Sequence, residues 1–206
     1  MMYSTIARDG SAEVEFKRSR FICQLRRVED EYGARAVIVA ARKEHWDARH
    51  HCSAFVLGPS AGVRRSNDDG EPAGTAGAPM LDVLTRREVS DVVAVVIRYF
   101  GGVLLGAGGL VHAYSESVSV ALDEVGLQRR ELRQLVEVSA SHADAGRLEN
   151  DLRAHAVMED VAYGENVTFT VAIPAGDVDV FGQQVAAMSA GTAVIRTTET
   201  RWVDVS

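Results

Sequence analysis

The chain is poor in cysteine, proline and aromatic residues: it holds two cysteines (Cys23 and Cys52), four prolines and 6% aromatics in 206 residues. Two cysteines are too few for a disulfide framework and suit a reducing compartment. No Cys-x-x-Cys or His-x-x-x-His pair is present, so no metal site of the usual zinc kind is expected, and no cofactor. Apolar runs are short; the longest, between Asp91 and Tyr99, cannot cross a bilayer and contains Arg98. The N-terminus has no basic segment followed by an apolar one, so a cytoplasmic location without a membrane partner is expected. Nucleotide fingerprints are missing too. Gly106-Ala107-Gly108-Gly109 does not extend to the dinucleotide pattern, and no Lys-Ser/Thr pair follows the glycines as a phosphate loop requires.

What is there is ordinary for a globular protein, with 47% apolar and 25% charged residues. The length suffices for one large or two small domains. The net charge of −7 is unevenly placed: residues 1–130 carry 17 basic against 17 acidic side chains, and residues 131–206 carry 5 against 12. An acidic segment repels phosphate backbones, so nucleic-acid contact is expected only from the N-terminal part. There Lys17, Arg18, Arg20, Arg26, Arg27, Arg64 and Arg65 cluster locally. The plainer reading of such clusters is a solvated charged face.

Alternation over Glu13–Val28 predicts an extended segment, and Glu29–His45 reads as a helix with Ala34, Val37, Ile38 and Ala41 at helical spacing. His50–Leu57 reads as a strand. Residues 60–79, rich in Gly, Pro, Asn and Asp, read as a long structured loop, which in a compact domain is usually functional. A short helix over Met80–Arg87, a strand over Asp91–Tyr99 buried on both faces, a glycine loop over Gly101–Gly109 and a helix over Leu110–Val125 follow. Tyr114 falls on that helix's apolar stripe. A polar stretch, Gln128 to Glu131, marks a boundary between residues 1–130 and 131–206. Beyond it Leu135–Ser141, Ala143–His155, Val157–Tyr163, Asn166–Ile173, Asp177–Met188 and Ala193–Val203 read as βαββαβ, the order of a ferredoxin-like sandwich.

Three stretches concentrate the chemistry: His50-His51-Cys52, Asp68-Asp69-Gly70-Glu71 running on to Thr75, and Arg98-Tyr99-Phe100-Gly101-Gly102 running on through Gly106, Gly108 and Gly109. Glycines opening onto a helix can receive a small anion on exposed N–H groups, or can merely allow positive φ and close packing. On a strand His50 and His51 point to opposite faces, so they cannot share a metal ion without distortion. One of them could join Asp68, Asp69 or Glu71 in a composite site, or simply hold the acidic loop by a hydrogen bond. Cys52 reads as a small buried residue as readily as a nucleophile. Arg98 is placed to reach the acidic loop from the end of its strand. The binding-surface candidates are therefore His50, His51, Asp68, Asp69, Glu71, Thr75, Arg98, Tyr99, Gly101, Gly102, Gly106, Gly108 and Gly109, with Arg18 and Arg20 beside them; no catalytic residue is assigned.

These same motifs, beginning at Lys17-Arg18-Ser19-Arg20-Phe21-Ile22 and including His45-Trp46-Asp47-Ala48-Arg49, resemble the YigZ/IMPACT family of uncharacterised and translation-linked proteins. The resemblance covers roughly residues 12–125, and the acidic tail looks like the second domain of the bacterial members. It implies an α+β protein of two domains: an N-terminal one similar to domain 2 of ribosomal protein S5, and a ferredoxin-like one similar to a domain of translation elongation factor G. Eukaryotic members carry a further N-terminal domain and regulate translation by competing for an activator of the amino-acid-starvation kinase. This chain starts almost directly at the shared domain, so the kinase role is not expected to carry over.

Two functions are open at this point. One is a non-enzymatic cytoplasmic binding or regulatory protein that touches the ribosome, RNA or a ribosome-associated protein through its N-terminal domain. The other is a small-substrate hydrolase using the His/Asp/Glu loop cluster as acid/base or metal groups.

Overall fold

The computed structural model describes residues 1–205, which fall into two compact units: Met2–Arg129, and Arg130–Val205 together with Met1. The first unit contains β1 (Met2–Ile6), β2 (Gly10–Phe16), β3 (Ser19–Arg27), α1 (Glu31–Glu44), β4 (His50–Leu57), β5 (Val63–Asn67), α2 (Gly77–Arg86), β6 (Val92–Tyr99) and α3 (Gly106–Val125). The extended segment expected over Glu13–Val28 is a hairpin, β2 and β3, whose two-residue turn holds Lys17 and Arg18 at φ 48° and 66°. Turns with positive φ at both central residues match the twist of the flanking strands, but they normally use Asn or Gly.

Five strands form one antiparallel sheet in the order β2-β3-β6-β4-β5. β6 lies at its centre, and every residue from Val92 to Arg98 is buried. The period of two sorts these side chains onto two separate cores. Val92, Ala94 and Val96 join Phe21, Cys23, Cys52, Ala54 and the inner faces of α2 and α3. Val93, Val95 and Ile97 join Phe55, Leu57 and Ala34 and Ala41 of α1. The helix α1 starts where Asp30 accepts a hydrogen bond from Gly33 N at 2.7 Å, an N-cap of the kind that contributes about 1 kcal/mol.

In the second unit β7 (Leu127–Ala140), α4 (His142–His155), β8 (Val157–Tyr163), β9 (Val167–Pro174), α5 (Val178–Met188) and β10 (Val194–Val205) follow in βαββαβ order. β9 pairs antiparallel with both β7 and β8, and β10 pairs with β7, which gives the order β10-β7-β9-β8. Gln134 Nε2 bonds Glu199 O at 3.0 Å and Arg196 pairs with Glu137 Oε2 at 2.5 Å, so β10 also runs antiparallel to β7. Val136, Val138, Phe169 and Val171 meet Leu148 and Leu152 of α4 and Phe181 and Val185 of α5 in one core. The α+β architecture, with a ferredoxin-like second unit, is thus the one expected. The polar stretch Gln128 to Glu131 is not irregular chain, however, because β7 begins at Leu127 rather than Leu135.

Candidate functional site

The sheet ends in a row of three side chains on the α2/α3 face. Phe21 of β3 stands opposite Arg98 of β6, and Arg98 stands opposite His50 of β4. One residue along, Arg20 and Tyr99 form the matching pair on the α1 face. This registry brings residues far apart in sequence to one end of the first unit, where the acidic loop lies over them.

Asp68 closes that loop from within. Its Oδ1 accepts from Ala76 N (3.0 Å) and Gly77 N (2.8 Å) and its Oδ2 from Gly74 N (2.8 Å), so it caps the start of α2 from nine residues upstream of Gly77. Burial favours its protonated form, but the three amide donors outweigh that and hold the carboxyl below the ordinary aspartate range. Asp69, at φ 43°, receives Arg42 of α1 on Oδ1 and His51 N (2.6 Å) on Oδ2. Its pKa is also lowered: burial raises it, and the bonds from Arg42 and from the His51 amide together more than compensate. Gly70 follows at φ 83°. Glu71, with its side chain 4% exposed, accepts from Arg98 Nη1 (2.6 Å) and from the Tyr114 hydroxyl (2.8 Å), both on Oε1. Burial raises the pKa of the Tyr114 phenol, which keeps it a donor.

The two histidines separate as strand alternation requires. His50 Nδ1 donates to Asp69 O at 2.9 Å, and its Nε2 lies 4.0 Å from Glu71 Oε1. His51 is buried on the α1 side with Nε2 3.0 Å from His45 O, and desolvation lowers its pKa. Thr75 is buried and donates to Pro72 O at 2.6 Å. Tyr99 donates to Asp47 Oδ1 (3.1 Å) and lies 3.0 Å from His45 Nδ1, while Arg20 spans Glu13 with two bonds of 2.8 and 2.9 Å and stacks on the Tyr99 ring. Arg18 sits at the hairpin tip, its backbone against Gly101. Gly102 and Gly106 take positive φ, at 81° and 73°; Gly108 faces open space, and Gly109 packs beside Leu105 and Phe16. The helix α3 begins at Gly106 rather than at Leu110, so the last glycines belong to its first turn.

The reactive alternatives fare differently. Cys52 is fully buried, with Sγ 3.0 Å from Asp68 O, and burial pushes its thiol up to about 12, which suits a packing role and not a nucleophile. Among the described residues no group of three or more His, Cys, Asp or Glu side chains is arranged to hold a metal ion. Asp68 and Asp69 each use both carboxylate oxygens on this chain's own donors, and Glu71 takes two donors on Oε1.

Five contributors were not singled out from sequence. Arg42 pairs with Asp69 across 27 residues of chain, which no local pattern announces. Tyr114 carried a usable clue, since a phenol in an otherwise aliphatic buried stripe must find a polar partner. Arg49, Phe100 and Leu104 line a cavity of about 270 Å³ with His50 and Arg98. Phe100 is 53% and Leu104 84% exposed, an apolar surface a monomer has no structural reason to present beside two arginines. A larger cavity, about 580 Å³, is lined by Tyr3, Ser60, Arg64, Glu88 and Arg129 and by none of the motif residues.

The loop's hydrogen bonding ties stability to acid pH. Asp68 and Asp69 have folded pKa values below the ordinary 3.8, so their contribution is complete above that value and is lost as pH falls through the lowered ones. His51 acts in the same direction. Its folded pKa lies below 6.5, so the unfolded chain takes up the proton first and stability begins to fall below that pH. The thermal midpoint of the first unit should therefore fall from neutral pH downwards, most steeply below pH 3.8. The variant Asp68→Asn should lose stability at pH 7 and show a flatter acid limb; a parallel curve would contradict the assignment.

The Impact N-terminal domain model matches residues 17–122, and the model of a domain of unknown function (DUF1949) matches residues 138–192. The IMPACT family member YvyE of Bacillus subtilis is 40% identical over 203 residues, covering 98% of this chain and 94% of that protein. The IMPACT family member YigZ of Escherichia coli is 38% identical over 192 residues, covering 86% and 89%. A crystal structure described as that of a hypothetical protein superposes with a TM-score of 0.64 at 36% identity, covering 96% of this chain and 98% of the other. No helix among the described residues is long and apolar enough to cross a membrane.

Proposed function

Because the chain belongs to the IMPACT family, we propose that it is a non-enzymatic cytoplasmic binding protein linked to translation, whose first unit contacts RNA on the ribosome. The observation that carries this reading is the inward commitment of the acidic motif. Asp68 holds three backbone amides, Asp69 holds Arg42 and the His51 amide, and Glu71 holds Arg98 and Tyr114. A hydrolase would need one of these groups free to move a proton or hold a metal. Arg20, Arg42 and Arg98 are paired with carboxylates, but three other cations at the same end are not: Lys17, Arg18 and Arg49 make no ion pair among the described residues. Unpaired Arg49 beside exposed Phe100 and Leu104 matches the two needs of single-stranded RNA, charge for phosphates and a flat apolar face for bases. The translation link itself is drawn from the family.

The test is co-sedimentation of the full chain with ribosomes at low and raised salt. Association that weakens as salt rises supports the reading. Salt-independent association through a protein, or turnover of a small substrate abolished by Asp69→Ala, would replace it.

A further inference from the structure

Arg98 Nε is the one side-chain polar atom among the described residues that is shut off from solvent without a hydrogen-bond partner. Arg98 as a whole is 7% exposed, and its guanidinium is clamped between the rings of Phe21 and Phe100, with Cζ 5.5 and 5.8 Å from their centroids. Its anionic partner, Glu71, is engaged through Nη1. Buried donors left unmade are costly and rare in native proteins, so this one calls for a partner. The cavity that Arg98 lines supplies the setting. Its other walls are Arg49, His50, Phe100 and Leu104, and none of them is a carboxylate. The nearest acid, Glu71, lies behind Arg98 and His50 and is taken up by Arg98 Nη1 and Tyr114, while Asp47 lines the adjoining cavity and is hydrogen-bonded by Tyr99.

We propose that this cavity is a binding subsite for a nucleoside phosphate, with the phosphate between Arg49 and Arg98 and the base against Phe100 and Leu104. The inference rests on the RNA-contact reading above and names the chemical unit that reading would recognise. Arginines on two walls suit a multiply charged oxyanion, which can accept from both at once. Exposed Phe100 offers a ring face to a base, and stacking of this kind is indifferent to which base it is. A carboxylate ligand would use the arginines but leave Phe100 and Leu104 without a purpose.

The full chain is titrated, in the absence of ribosomes, with adenosine 5′-monophosphate, inorganic phosphate, a trinucleotide RNA with a 5′-hydroxyl, and triglutamate, each followed by amide chemical shifts. Saturable shifts at residues 49–50 and 98–104 are expected with the monophosphate. Arg49→Ala, at an exposed side chain with no ion pair, should weaken that binding by about tenfold or more without unfolding the protein. Phe100→Ala should weaken the monophosphate and spare inorganic phosphate. Equal response to the trinucleotide assigns the phosphate to RNA, and response to the monophosphate alone assigns it to a free nucleotide; both support the subsite. Silence at millimolar monophosphate, binding unmoved by both substitutions, or stronger binding of triglutamate overturns it. Ribosome association with a silent titration removes the subsite and leaves the RNA module, and a positive titration without ribosome association does the reverse.

Discussion

Replacing Gly101 with alanine should cost the first unit about 3 kcal/mol or more, enough to leave much of it unfolded at temperatures the parent tolerates. A β-carbon at that position would fall inside contact distance of the Arg18 carbonyl carbon and oxygen and lie 2.5 Å from Ser19 N. The obstruction is backbone, so no rotamer change can relieve it. Nor can the backbone retreat freely: Arg18 is fixed by the hairpin turn, and Gly101 N donates to Ser19 Oγ at 3.1 Å. Gly108→Ala is the natural comparator, because its β-carbon would enter open space on a helix, where alanine is favoured over glycine by about 1 kcal/mol. Urea unfolding followed by far-UV circular dichroism should show the two substitutions moving in opposite directions. Similar midpoints would mean that the loop does not press on the hairpin.

Glu71→Ala should destabilise the first unit by about 3–5 kcal/mol, because it leaves Arg98 charged and buried with no counter-charge. The Glu71 and Arg98 side chains are 4% and 8% exposed, so water cannot take the carboxylate's place without rearrangement. Tyr114 loses its acceptor in the same change. The cost belongs to the broken pair rather than to the pair's net worth, and that distinction is measurable. Glu71→Leu combined with Arg98→Met removes both charges at similar volume and should recover most of the loss. A double substitution as unstable as the sum of the singles would show that the two residues act separately. Arg98 thus has two functions in this account: it holds the acidic loop through Nη1 and forms a wall of the proposed ligand cavity.

Much of the first unit could be read from its sequence where one period dominates. His50–Leu57 is a strand with the same bounds in sequence and structure, and its alternation alone separates His50 from His51. The edge strand β5, Val63–Asn67, was hidden inside the long loop because Val63 is its only apolar residue and four of its five side chains are exposed. Likewise Gly106, Gly108 and Gly109 favour a loop by propensity, and packing of α3 on the sheet overrides them. The loop carboxylates were legible as a cluster but not in their roles. An Asp capping a helix nine residues away follows no standard cap spacing, and a Glu neutralising a buried arginine has none to give it away, since it depends on where the register of β3, β6 and β4 puts Arg98. The same registry explains why Arg49, Phe100 and Leu104 meet only in three dimensions.

The central proposal is that the first unit binds RNA through cations left unpaired at the end of its sheet. Its most direct test is ribosome co-sedimentation across a salt series for the full chain and for Arg18→Ala with Arg49→Ala, two substitutions that break no ion pair among the described residues. The account predicts parent association that falls with log salt, and a double variant whose affinity is lower and whose slope is shallower by about 2, one for each phosphate contact removed. An unchanged slope and affinity in the double variant, with the parent still bound, would contradict it.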